Sequence, residues 1–179
     1  PNSSINGASQ IMETAFEKKR GISDVEVRPG FTQVHVTRVP GDLTEGRMTV
    51  LDAVEKVHVS IDFLKMSNTG LSFLVSQDSA DRIRVALGSL DCSFDLVQDR
   101  AIVLVHAVNM RDEEGMIAGI VRRAIRTGAP VEHVTDMHDR MLLVMAHSDA
   151  LAFETSLEAE IETELQANGS EFVGGASNA

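Results

Sequence analysis

A chain of 179 residues, 43% of them apolar, can bury one ordinary core or two small ones; with seven Phe and no Trp or Tyr, that core must be aliphatic and methionine-filled. A formal net charge of -11 opposes general affinity for nucleic acid or anionic membrane, because the summed field repels phosphate. The single cysteine, Cys92, excludes an internal disulfide and a multi-thiolate zinc site, and fits a reducing cytoplasm. No apolar run approaches the roughly 18 residues that span a bilayer, and Pro1-Asn2-Ser3-Ser4 opens nothing like a signal peptide. The absence of an initiator Met is read as the mark of a fragment.

In chain order, residues 1–21 read as a tail with a short helix from Ala8 to Arg20. Val25 and Val27 begin an extra strand, Pro29-Gly30 is expected to turn, and Phe31 onward feeds the strand carrying Val34 and Val36. After the loop Pro40 to Gly46, the spacing of Met48, Leu51, Val54 and Val57 predicts one face of a helix. Val59, Ile61 and Phe63 alternate as a strand, Ser67-Asn68-Thr69-Gly70 turns, and Leu71, Phe73 and Val75 alternate again. Asp78 or Ser79 can cap a helix whose inner face is Ala80, Ile83, Leu87 and Leu90, and Ser93 to Gln98 closes the set.

The same order then returns. Strand Ala101 to Val108, helix Met116 to Thr127, strands Val131 to Asp136 and Arg140 to Met145, and a helix from Ser148 to about Ala167 follow. That helix should bury Ala150, Phe153, Leu157, Ile161 and Leu165. Val36 to Met48 lies over Val105 to Ile117 with Gly46 on Gly115, and apolar positions and loop lengths agree through five consecutive elements. Strand, helix, strand, strand, helix, strand is the ferredoxin-like order, so the fold class is α+β with two βαββαβ units in tandem. The expected division is a tail over 1–21, a first domain over 22–99, a second over 100–168 and a flexible tail over 169–179. The second unit lacks its fourth strand unless residues 22–28, or Glu171-Phe172-Val173, provide it.

Each first helix begins with a glycine after an acidic loop. An amino-acid zwitterion needs donors for its carboxylate and an acceptor for its ammonium. Backbone N–H groups opening a helix supply the first and a neighbouring carboxylate the second. Asp42 and Glu45 in the first loop and Asp112 in the second are the carboxylates best placed, Gly46 and Gly115 would let a ligand approach the backbone, and Ser60 could donate from the neighbouring strand. The competing reading is that these are ordinary charged caps. His133, Asp136 and His138 lack a fourth ligand and read as surface or half-buried groups, so neither metal nor cofactor is expected. Glu154, Glu158, Glu160, Glu162 and Glu164 read as the solvated face of the last helix, and Cys92 has no basic or histidine neighbour to activate it. No acid, base and nucleophile converge, so no enzyme activity is expected of this chain.

The doubled order, with Val108-Asn109-Met110-Arg111-Asp112-Glu113-Glu114-Gly115-Met116 similar to a "GMRSHPGV" loop and Val59-Ser60-Ile61-Asp62-Phe63-Leu64 similar to a "VNVDMI" strand, resembles tandem ACT domains, and more narrowly the regulatory half or subunit of aspartokinase. The resemblance runs from about Ile22 to Leu165. It implies an amino-acid effector, lysine or threonine, a site that includes Asp62, a homodimer, and a kinase domain or subunit as partner. Departures from the family pattern at Gly41 to Gly46 (its "DRPG") and at Ser60 (its asparagine) keep open a dimerisation or assembly module that has lost its ligand.

Overall fold

A computed structural model of the chain describes residues 21–108, 114–128, 133–136 and 139–173. The helix expected over Ala8 to Arg20, Asp112 with its loop, Val131, His138 and the tail Gly174 to Ala179 lie outside these residues. In chain order the elements are β1 (Gly21–Arg38), α1 (Leu43–Lys56), β2 (Asp62–Met66), β3 (Leu71–Ser76), α2 (Ala80–Gly88), β4 (Ser93–Val108), α3 (Met116–Arg126), β5 (His133–Asp136), β6 (Arg140–Ala146) and α4 (His147–Val173). None of the described helices is long and apolar enough to cross a membrane.

The chain divides into two compact units, one of Arg28–Ala101 and one that joins residues up to Val27 to those from Ile102 onward. It therefore passes between units twice, within β1 and within β4. The turn expected at Pro29-Gly30 and the break expected after Gln98 are not strand ends. Both strands run on, through a positive φ at Gly30 (87°) and at Asp99 (54°). The units are therefore interleaved in sequence, since β1 and β4 each contribute residues to both.

In the unit of Arg28–Ala101 the strand order is β2-β3-β1-β4 and the chain order βαββαβ. β1 pairs antiparallel with β3 from Phe31 opposite Ser76 to Val36 opposite Leu71, which sets Val34 opposite Phe73. The two-residue period turns Val34, Val36, Leu71, Phe73 and Val75 into one core with Val50 and Val54 of α1 and Ile83 and Leu87 of α2. Asp42 caps α1 by accepting the Glu45 N–H at 3.2 Å. The buried line of α1 is Gly46, Val50 and Val54, and Met48, expected on the inner face, is 60% exposed. Two residues on from Gly46 is about 200° around a helix, which turns Met48 to the opposite side. Side chains also tie elements together. Arg47 of α1 donates through Nε to Gly70 O at 3.0 Å and through Nη2 to Ser67 O, fixing the β2–β3 turn. Arg82 of α2 donates to Val57 O at 3.0 Å, a cation at the carbonyl end of α1. The strand expected from Val59 begins later, at Asp62, and pairing with β3 is irregular between Asp62 and Lys65, where Phe63 has φ 51°.

In the other unit the order is β1-β4-β6-β5, with Ser23 Oγ donating to His106 O at 3.2 Å and β5 pairing antiparallel with β6 from His133 opposite Val144 to Asp136 opposite Met141. Residues 21–27 thus stand where a fourth strand is needed, and residues 171–173 are helical. α4 packs on β6, burying Ala150, Phe153 and Leu157. Ile161 is only half-buried and Leu165 is 67% exposed, against expectation. A helix of 27 residues is about 40 Å long, whereas the seven residues of β6 span about 23 Å, so the second half of α4 outruns the sheet. It also runs beyond Ala167 to Val173.

Candidate functional site

The two glycines expected to open helices stand differently: Gly115 is the N-cap of α3, whereas α1 begins at Leu43 because Asp42 caps it, which makes Gly46 its fourth residue. At α1 the Asp42 carboxylate accepts the Glu45 N–H; the next bond, from the Gly46 N–H to Asp42 O at 2.7 Å, begins the helical ladder as the Gly119 N–H to Gly115 O bond of 2.8 Å does at α3. Gly46 is buried, and a Cβ there would meet Pro40 O at 2.3 Å and Val39 Cγ2 at 2.6 Å. The close approach that Gly46 permits is thus made by the protein's own loop. Asp42, Glu45, Ser60 and Asp62 are all exposed: Asp42 is the cap, Glu45 lies in the first turn, Ser60 sits on the link to β2 and Asp62 opens β2.

At α3 the N-cap is Gly115 with φ 81°, and among the described residues no side chain caps it. A left-handed φ of this kind favours glycine. Beside this start lies a pocket of about 290 Å³. Gly21 and Ile22 of β1, Glu114, Gly115, Met116, Gly119, Ile120 and Arg123 around α3, and Leu157 and Glu160 of α4 line it. Gly119 leaves part of it open: a Cβ added there meets nothing within 4 Å. Arg123 Nη1 is ion-paired with Glu160 Oε2 and also donates to Ser156 O at 3.4 Å. Glu160 is therefore not one of the solvated glutamates of the last helix. Their side chains are 33% and 36% exposed, which screens the pair less than open solvent would.

Chemically, the pocket combines a helix start, a guanidinium, two carboxylates and the apolar surfaces of Ile22 and Met116, backed by the buried Ile120 and Leu157. Of the residues singled out by sequence, Gly115 lines it, while Asp42, Glu45, Gly46, Ser60 and Asp62 belong to the other unit. Sequence reasoning missed Arg123, Glu160 and Gly119. Gly119 alone carried a signal, as a glycine inside an otherwise helical run. Among the described residues no three His, Cys, Asp or Glu side chains gather as a metal would require.

Cys92 is half-buried and donates to Leu87 O at 3.4 Å. Burial pushes its thiol above the ordinary range, outweighing the nearby Arg38, whose guanidinium is hydrogen-bonded to Asp91 at 2.9 Å and holds that carboxyl low. The thiolate is the reactive form. Alkylation of Cys92 by iodoacetamide should therefore be slower at pH 8 than that of an unstructured peptide thiol, with its rate rising at higher pH. A rate equal to the peptide's would contradict the burial of the thiol.

No family model and no curated protein matches the sequence. Solved structures do. The ligand-free regulatory subunit of aspartate kinase from Thermus thermophilus is similar with a TM-score of 0.66 at 17% identity, over 78% of this chain and 98% of that one. A structure of aspartokinase alpha and beta subunits matches with a TM-score of 0.69 at 16% identity, over 79% of this chain and 99% of that one. Aspartokinase III of E. coli in complex with lysine and aspartate matches with a TM-score of 0.61 at 12% identity, over 80% of this chain and 34% of that one. The α+β, ACT-type fold implied by the sequence resemblance is the fold found, and it is the fold these regulatory subunits and domains share.

Proposed function

We propose that this chain is a regulatory module that binds an amino acid in the pocket beside the start of α3 and passes that event to a kinase domain or subunit. The observation that carries the reading is a pocket beside the glycine that opens α3, lined by a guanidinium and two carboxylates, in a fold shared with aspartokinase regulatory subunits. Lysine and threonine are the first effectors to test, lysine also because it is present in the E. coli aspartokinase III structure. Coupling follows from differential affinity: a ligand shifts only an equilibrium between arrangements it binds unequally. Glu45 and Asp62, with Asp42 and Ser60, stay secondary candidates for a second site around the first loop, and Asp112, in the loop before α3, stays a candidate for the α3 pocket.

Thermal unfolding in the presence of each of the twenty amino acids tests this. An effector at 100 times its dissociation constant adds about 2.7 kcal/mol, roughly 5–10 °C for a chain of this length. Gly119→Phe, which places a ring in open space, should keep the fold and remove the shift. A panel without any shift sinks the reading. It would favour the second one, a homodimeric assembly module, which two other observations support: the first helix start is closed by its own loop, and β2, at the edge of its unit's strand order, exposes Leu64 (44%) and Met66 (49%).

A further inference from the structure

The pocket's own charges do not wait free for a ligand, because Arg123 and Glu160 are ion-paired with each other in its lining. Arg123 has a second acceptor, the Ser156 carbonyl, on the same helix α4. The pair is thus a tie between α3 and α4 placed in the wall of the cavity. It comes at the point where α4 leaves the core: Leu157 is fully buried, Ile161 half-buried and Leu165 exposed. An ion pair in such a place has a natural competitor, a molecule that carries both charges a few ångströms apart. Its carboxylate can take the guanidinium and its ammonium the carboxylate, so the exchange is neutral overall and leaves neither half-buried charge without a partner.

We propose that the Arg123–Glu160 pair opens around the zwitterion of an α-amino acid, Arg123 receiving the carboxylate and Glu160 the ammonium, and that this exchange loosens the hold of α3 on the second half of α4. The proposal rests on the reading of the pocket as an amino-acid site and names its two polar anchors and its moving part. Ile22 and Met116, which are partly exposed, then face the ligand's side chain, with the buried Ile120 and Leu157 behind them. Ligands that carry one charge alone gain less. Acetate would strand Glu160, and an amino alcohol such as threoninol would strand Arg123.

The test compares L-threonine, L-lysine, acetate and threoninol on wild-type, Arg123→Gln, Arg123→Lys and Glu160→Gln protein, by calorimetry and by hydrogen exchange of residues 158–166. In the wild type the two amino acids should bind at least tenfold more tightly than acetate or threoninol. Arg123→Gln should weaken amino-acid binding by about tenfold or more, Arg123→Lys by less, and Glu160→Gln should erase the preference for amino acids over acetate. Exchange in residues 158–166 should rise when wild-type protein binds an amino acid, and already be raised in Glu160→Gln without ligand. Amino-acid binding that is insensitive to both positions overturns the proposal while leaving the pocket reading intact. Binding with slower exchange in this stretch overturns the loosening. An absence of binding by every variant overturns the reading and the proposal together, and circular dichroism of each variant shows whether a loss reflects misfolding.

Discussion

Phe73→Ala should destabilise the protein by about 3–5 kcal/mol, the range for truncating a buried aromatic ring that leaves a cavity behind. Phe73 is 1% exposed, stands opposite Val34 in the β1–β3 pairing, and lies in the core that α1 and α2 close from one face. The rigid pairing of two strands limits how far the backbone can collapse into the gap, which argues for the upper part of that range. Urea unfolding followed by circular dichroism measures it, with Val85→Ala as control. Val85 is 74% exposed on α2, and its truncation should stay within about 0.5 kcal/mol. A loss at Phe73 no larger than the control's would mean that the core is not built around this ring.

Gly46→Ala should destabilise by about 1–3 kcal/mol even though alanine is the better helix former, because overpacking outweighs a propensity gain of about 1 kcal/mol. The methyl would stand 2.3 Å from a backbone carbonyl oxygen, that of Pro40, which cannot swing aside as a long side chain can. Gly119→Ala is the matched comparison. It too lies inside a helix, but the new methyl meets nothing within 4 Å, so only the propensity term acts and the variant should gain about 0.5–1 kcal/mol. Opposite signs at the two glycines, read from urea midpoints, would establish that α1 is pressed onto its loop and α3 is not. Equal signs would remove the contrast on which the choice of α3 as the ligand site depends.

Periodicity carried most of the fold. The inner face of α2 and the alternation of β3 depend only on spacing, and Ile83, Leu87, Phe73 and Val75 are buried as their spacing requires. What misled was punctuation. Pro29-Gly30 has turn chemistry, yet β1 continues through it, because long-range pairing on both sides of the dipeptide outweighs a local preference. The stretch around Asp99 misled in the same way. Two apolar stripes overlap on α1, Met48-Leu51-Val54 and Gly46-Val50-Val54, and spacing alone does not say which one the sheet covers. At the site, Gly115 was legible as the glycine opening a helix. The pairing of Arg123 with Glu160 was not, since the two are far apart along the chain and meet only when α4 packs on β6. Whether Gly46 faces a ligand or its own loop was equally hidden, because the path of Pro40 is a tertiary fact.

The sharing of β1 and β4 between units means that the molecule cannot be halved where its duplication invites the cut. A clone ending at Asp99 would carry residues 21–27 with nothing to complete, and one beginning at Arg100 would have a row of peptide groups left bare along β4. Expressed apart, such halves should aggregate; mixed during refolding, they should complement each other.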